Sequence, residues 1–358
     1  MTRKSKWGVN VSLLIISCFL ALLVSETLSR FLFKIELPYF ADLKGNRTSI
    51  RLPDDELQRR LKPNFRGKLI SAEFQNSITT NSLGFRGLHE YVKEKNGKFR
   101  IFGLGDSFTF GYGVEEDEIY LSVLEKKLER ELGIKNETFK LGVFGYGTLQ
   151  QLKLFHKFLE YKPDLIILGF FARNYFAAEG GNDLVDNYYF NEWEKTRNKP
   201  KVKDHITKAG HASFMRKVRN FLRDHSNLYR IIEMYFGGYL RKNYTPKDNP
   251  ELREKGWQIT KNALKAFDKE LQALNIKCLI LWIPFPESIN ARDNSVIEKL
   301  KSFRLQNIFM VNPLEAMVDD VEKYYYKLDC HWNAEGHRVA AGLLFKKILE
   351  KGIIDSAL

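Results

Sequence analysis

Ser107 stands in Leu-Gly-Asp-Ser-Phe-Thr-Phe-Gly-Tyr-Gly, residues 104–113, directly after the apolar run that starts at Phe99. A serine at the carboxyl end of a buried strand is where open α/β folds keep their chemistry. Its hydroxyl is a weak nucleophile until a base takes the proton. His331, in the stretch Tyr-Lys-Leu-Asp-Cys-His-Trp-Asn at 326–333, is the candidate base. Asp329, two residues earlier, is the candidate group that holds the imidazole in the right tautomer. Attack on an ester carbonyl creates a negative oxygen, which needs donors aimed at it. The backbone N–H groups of Ser107 and Gly145 and the side-chain amide of Asn174 are the candidates. Together these residues describe acyl transfer through a covalent acyl-serine.

Each residue also has a plain reading. Ser107 alone can cap a helix, Gly145 can make a turn in which Gly142 or Gly147 would serve as well, and Asn174 can satisfy loop backbone. His337, on the following helix, is expected to be structural. Asn182, in Glu-Gly-Gly-Asn-Asp at 179–183, is an alternative to Asn174 but lies well past a strand end. The joint appearance of the candidates, in order and each at a strand end, favours catalysis. Two rivals fail on single residues. A dinucleotide turn needs a third glycine where Phe108 stands, and an α/β-hydrolase elbow needs glycine where Thr109 stands.

The elements that must position these groups alternate from residue 99 onward. Strands are predicted at 99–104, 138–143, 164–171, 277–285 and 308–312. Helices are predicted at 117–132, from Thr148, at 257–274 and from Ala334 to about 350, the last capped by Asn333. Asp117 and Glu118 would open the first of these helices. Five parallel strands with crossover helices imply a three-layer α/β/α sandwich. Residues 35–98 read as an extended, turn-rich lead-in without assigned chemistry. The domain at 99–358 carries a basic, helical insertion at about 176–255. Within it Phe214, Val218, Phe221 and Leu222 share a helical face that is expected to pack on its own domain, with a membrane-lying helix over 214–236 as the alternative.

The chain has 358 residues and a formal charge of +13. Residues 191–255 hold 16 Lys/Arg against 8 Asp/Glu, so this stretch is a candidate anionic-partner surface, with a plain solvated face as the alternative. No nucleic-acid motif accompanies it. Cys18, Cys278 and Cys330 form no framework for a disulfide or a zinc site. No metal or other cofactor is expected. Residues 8–24 are uncharged and follow Arg3, Lys4 and Lys6, with an apolar helix able to continue to Phe33. No small-residue cleavage site follows, so residues 1–34 are expected to be a cytoplasmic N-terminus and a single-pass signal-anchor, with the remaining chain exported.

The stretches around Ser107, Gly145, Asn174 and Asp329–His331 resemble the four blocks of the SGNH/GDSL hydrolase superfamily, over about 99–175 and 276–350. The resemblance implies a flavodoxin-like sandwich, with Ser107 as nucleophile, Gly145 and Asn174 in the oxyanion hole, His331 as base and Asp329 as its orienter. Two features depart from the common pattern. The last pair is Asp-x-His where the family usually has Asp-x-x-His, and Asn174 is followed by Tyr175 where an aspartate is usual. The Asp-x-His-Trp form is similar to the alginate O-acetyltransferase-like branch. It implies a serine esterase or O-acyltransferase acting on acyl, above all acetyl, groups of an envelope glycan. A non-catalytic polysaccharide-binding protein on the same fold is the alternative.

Overall fold

In the computed structural model the described residues are 3–32, 38–173, 183–197, 218–219, 221–223, 225–233 and 248–355. The chain divides into two compact units. The first comprises Met1–Tyr39, Ile70–Ala72 and Pro200–Thr245, and the second holds the rest.

The first unit is built on helix α1, Arg3–Leu32. Its segment Asn10–Leu32 has a mean hydropathy of 2.3, and its large apolar side chains, from Leu13 to Leu32, are exposed. At about 1.5 Å per residue, such a helix is long enough for a hydrocarbon core of about 30 Å. An anchor and a signal sequence both fit that length and composition. Near its end the Glu26 carboxylate accepts hydrogen bonds from Ser226 Oγ and from the amides of Asn227 and Leu228, at 2.8–3.0 Å. Asn227 Nδ2 donates to the Ser29 carbonyl at 2.8 Å. Residues 226–228 are therefore tied to α1. Phe214 lies outside the described residues, and Phe221, expected to face inward, is 60% exposed and stacks on His225.

The second unit begins with short strands: β1 (Tyr39–Asp42, shared with the first unit), β2 (Arg47–Thr48), β3 (Arg51–Asp54), β4 (Gln58–Leu61), β5 (Arg66–Ile70) and β6 (Gln75–Thr79). The central sheet follows. Strand β7 (Phe99–Gly105) leads through the short helix α2 (Ser107–Phe110) to helix α3 (Tyr120–Leu132), then β8 (Asn136–Gly142), α4 (Thr148–Phe158) and β9 (Leu165–Phe171). Helices α5 (Asp183–Thr196) and α6 (Pro250–Leu274) precede β10 (Lys277–Ile283), β11 (Ile308–Val311) and the last helix, α7 (Ala334–Glu350).

The five strands β7–β11 are parallel, in the order β11-β10-β9-β7-β8. This is the predicted sandwich. Strands β7 and β9 are buried along their full lengths, which is why they read as continuous apolar runs. Helices α3 and α7 pack together, as do α4, α5 and α6, and two apolar clusters fill the space on either side of the sheet. The strand order reverses between β7 and β9, the crevice where such sheets bind ligands. Ser107 follows β7 at that point.

Strands β7, β8, β9 and β11 shift by one or two residues at an end, and three further boundaries differ for a local reason. Helix α3 starts at Tyr120, because Glu116–Glu118 form a separate 3-10 turn in which the Glu115 amide donates to Glu118 Oε2 at 2.9 Å. Asp117 and Glu118 belong to that turn. Helix α6 starts at Pro250 instead of 257, with Asn249 accepting from the Leu252 amide at 3.0 Å and proline at the first helical position. Strand β10 stops at Ile283 because Pro284 has no N–H to continue the ladder.

Candidate active site

Asp106 and Ser107 sit where β7 turns into α2. The Asp106 carboxylate accepts from the Phe108 amide at 2.9 Å and caps the short helix. Gly105 is required by close approach: a Cβ there would lie 1.9 Å from Thr109 Oγ1. Thr109 in turn meets the Tyr120 hydroxyl at 2.9 Å, so the turn is fixed to α3 from below. Tyr326 stands on the far side of the loop and donates to the Gly113 carbonyl at 2.6 Å.

His331, 224 residues further along the chain, brings its Nε2 to 2.7 Å from Ser107 Oγ. Its Nδ1 meets Asp329 Oδ1, and its own backbone amide donates to the same oxygen at 2.9 Å. The carboxylate folds back over its own turn, which is how a spacing of two residues reaches the ring. Phe108 and Tyr112 flank the imidazole at centroid distances of 4.7 and 4.4 Å. Trp332 is fully buried and meets Phe108 edge-on at 5.3 Å, so the tryptophan of Asp-x-His-Trp packs against the residue after the serine. The turn before His331 is held by Glu73, whose carboxylate accepts from the Lys327 and Leu328 amides at 2.7 and 3.0 Å. Glu73 belongs to the lead-in, to which the sequence reading gave no role.

Gly145 follows β8 with φ at +69°, a backbone that L side chains rarely adopt. A Cβ there would also sit 2.9 Å from Arg59 Nη1. Gly142 occupies the end of β8, against the backbone of Thr109 and Phe110, and Gly147 caps α4. Neither the Ser107 nor the Gly145 amide has a protein acceptor among the described residues. Asn174 and Asn182 both lie outside the described residues.

Asp183, immediately after Asn182, is described. It is buried, and its Oδ1 accepts from the Thr148 amide at 2.6 Å and the Thr148 hydroxyl at 2.7 Å. Asn187 accepts from the Leu149 amide at 2.9 Å and donates to Thr260 Oγ1 at 2.8 Å. Two residues of α5 therefore tie down the first amides of α4, three positions after Gly145. The aspartate of Glu-Gly-Gly-Asn-Asp was visible in sequence. Its partner, 35 residues away, was not.

His337 is structural, as expected: it is buried and its Nδ1 accepts from the Tyr120 amide at 3.3 Å. Burial, reinforced by the charge on His331, pushes its pKa down to about 3. Burial raises the Asp106 carboxyl to about 6. In the unfolded chain the same carboxyl loses its proton near pH 4. Proton binding by Asp106 thus favours the folded state fully below about pH 4, and that contribution is lost as pH rises through about 6. Asp106→Asn keeps a capping oxygen and removes this dependence. Its stability relative to the native protein should rise between pH 4 and 7 by up to about 3 kcal/mol. Chemical denaturation at both pH values reads this, and a difference that stays flat with pH contradicts it.

The ligand atoms of Asp329, Cys330 and His331 lie within 4.8 Å of one another. The imidazole is already engaged at both nitrogens, by Asp329 and by Ser107, so the trio presents no shared open face to a cation. Cys18, Cys278 and Cys330 are not joined in a disulfide.

Residues 104–339 match the family model of the GDSL-like Lipase/Acylhydrolase family. No match is found among curated proteins. Among solved structures the chain is similar to the Clostridium thermocellum family 3 carbohydrate esterase, at 16% identity over 73% of this chain and 100% of that one, with a TM-score of 0.39. It is also similar to the psychrotrophic esterase EstA from Pseudoalteromonas sp. (12%, 71% and 98%, TM-score 0.38) and to a lipase/acylhydrolase from Enterococcus faecalis (12%, 70% and 96%, TM-score 0.37). The family match spans most of the chain and takes in the Gly-Asp-Ser turn and the Asp–His pair alike. The chain belongs to the GDSL-like lipase/acylhydrolase family of the SGNH hydrolase superfamily.

Proposed function

We propose that the protein is a membrane-anchored, exported serine esterase or O-acyltransferase that acts on O-acyl groups of an envelope glycan. The observation that carries the serine mechanism is the 2.7 Å contact of Ser107 Oγ with His331 Nε2. Ser107 Oγ attacks the acyl carbonyl while His331 takes its proton and Asp329 steadies the imidazolium. The Ser107 and Gly145 amides receive the oxyanion. Collapse of the tetrahedral intermediate expels the alcohol, which takes the proton from His331, and leaves acyl-Ser107. Water or a sugar hydroxyl then attacks this ester with His331 again as base, giving esterase or transferase.

Helix α1 and the net charge of +13 support the envelope setting. Much of the described insertion is internally paired: Lys195, Arg223, Arg253 and Lys255 meet Glu192, Glu233, Asp248 and Glu251. That pairing favours the solvated reading of the basic surface.

An acetylated sugar, offered with and without an acceptor sugar, tests the proposal. Release of acetate marks an esterase, and acetyl on the acceptor marks a transferase. Neither product would overturn the proposal in favour of a binding protein. The third oxyanion donor is assigned to Asn174 on the sequence pattern. Asn174→Ala should then lower kcat by on the order of 10²- to 10³-fold, with little effect from Asn182→Ala. The anchoring of Asp183 next to Asn182 supports the alternative, and the reverse result would give the role to Asn182.

A further inference from the structure

The hairpin β3–β4 carries two arginines to the oxyanion side of the site. In its register Arg59 lies opposite Pro53, and Arg51 is two positions before Pro53, so the two arginines are diagonal neighbours across the pair. Arg59 Nη1 lies 2.9 Å from where a Gly145 Cβ would be. The Arg51 guanidinium lies over the Phe144 ring, 5.3 Å from its centroid. Phe144 meets Tyr112 edge-on at 5.8 Å, and Tyr112 lies against His331.

The hairpin is fixed in place. The Tyr146 hydroxyl donates to the Arg59 carbonyl at 2.5 Å, and Gln150 Nε2 donates to the Leu57 carbonyl at 3.0 Å. The loop that carries Gly145 and the strands that carry the arginines are thus one assembly.

Neither guanidinium has a carboxylate partner among the described residues. Of the carboxylates on the hairpin, Asp54 accepts from the Glu56 and Leu57 amides and Glu56 pairs with Lys157. Arg51 is exposed and Arg59 half-buried, so both guanidinium groups can be reached by a ligand. Two like charges held together without an ion-pair partner are relieved by a bound anion. A guanidinium fork suits carboxylate and phosphate, which it can bind through two parallel hydrogen bonds.

We propose that Arg51 and Arg59 form an anion subsite beside the Gly145 loop, which selects acyl esters whose alcohol portion carries a carboxylate or a phosphate. This rests on the assignment of Ser107 as nucleophile, and it narrows the substrate class for that site. The anion docks on the hairpin, the ester carbonyl reaches Ser107, and the chain discriminates against neutral esters by leaving the two charges unanswered.

The test compares kcat/KM of the full chain in detergent for three acetylated sugars: a uronic acid, its neutral methyl ester and a sugar phosphate. The native protein should prefer one or both anionic esters over the neutral one. In Arg51→Gln/Arg59→Gln that preference should fall by on the order of 10- to 100-fold. Whichever anionic ester loses more identifies carboxylate or phosphate as the ligand. Arg51→Lys/Arg59→Lys keeps the charge without the fork and should retain part of the preference, which covers the case where the glutamine variant fails to fold. An unchanged preference in both variants, or equal losses on charged and neutral esters, would overturn the subsite. Binding of the uronic acid to Ser107→Ala, with and without the arginine changes, is read by calorimetry and does not depend on turnover. Turnover of none of the esters by native protein would instead overturn the nucleophile assignment, and the calorimetry would still decide the subsite.

Discussion

Replacing Ser107 with alanine is expected to remove ester turnover down to what the oxyanion donors and substrate binding alone supply, a loss on the order of 10⁶-fold in kcat. His331→Ala should lose about as much. The two side chains act as one unit through the 2.7 Å contact, so the double variant should be no slower than either single one. Losses that multiplied would mean that serine and histidine act independently, which the proposed proton transfer forbids. The fold should survive both changes. Ser107 is half-buried at the mouth of the turn, and the α2 cap is provided by Asp106. Circular dichroism and thermal unfolding of each variant check that lost activity is not lost structure.

Asp329→Asn is expected to cost about 10⁴-fold in kcat with the fold intact. One carboxylate oxygen receives both the His331 amide and the ring Nδ1–H. An asparagine puts at that one position either its oxygen, which then serves both donors, or its NH₂, which then faces both. If NH₂ faces Nδ1, the ring proton moves to Nε2, and His331 can no longer take the proton of Ser107. If the oxygen still faces the ring, the imidazolium formed during attack loses its neighbouring negative charge. Either arrangement slows acylation and deacylation together, so kcat should fall far more than KM rises. Activity within tenfold of native would show that Asp329 is dispensable.

The site was legible in sequence where each residue lies at the end of an element with its own local signal. Ser107 ends the apolar strand β7, Gly145 follows β8, and His331 immediately precedes the cap of α7. Even the short Asp-x-His spacing could be read, because the contact is made within one turn. Legibility failed where function depends on distant contacts. Glu73 steadies the turn before Asp329 from 254 positions away. Asp183 anchors the start of α4, and Arg59 reaches Gly145 from a hairpin that looks like an unremarkable charged linker. Polar residues in turn-rich sequence carry no periodicity, so nothing local marks which of them turns inward. The helix boundaries that moved did so for a related reason. Pro250 and the Glu115–Glu118 turn are capping arrangements that outweigh the apolar stripe by which α6 and α3 were read.

Labelling with a serine-directed fluorophosphonate, followed by peptide mapping of the modified residue, tests the serine mechanism most directly. The phosphonyl group should be found on Ser107 in the native protein, and labelling should be lost in Ser107→Ala and strongly slowed in His331→Ala. Stoichiometric modification of a different serine, or native labelling no faster than in His331→Ala, would contradict it.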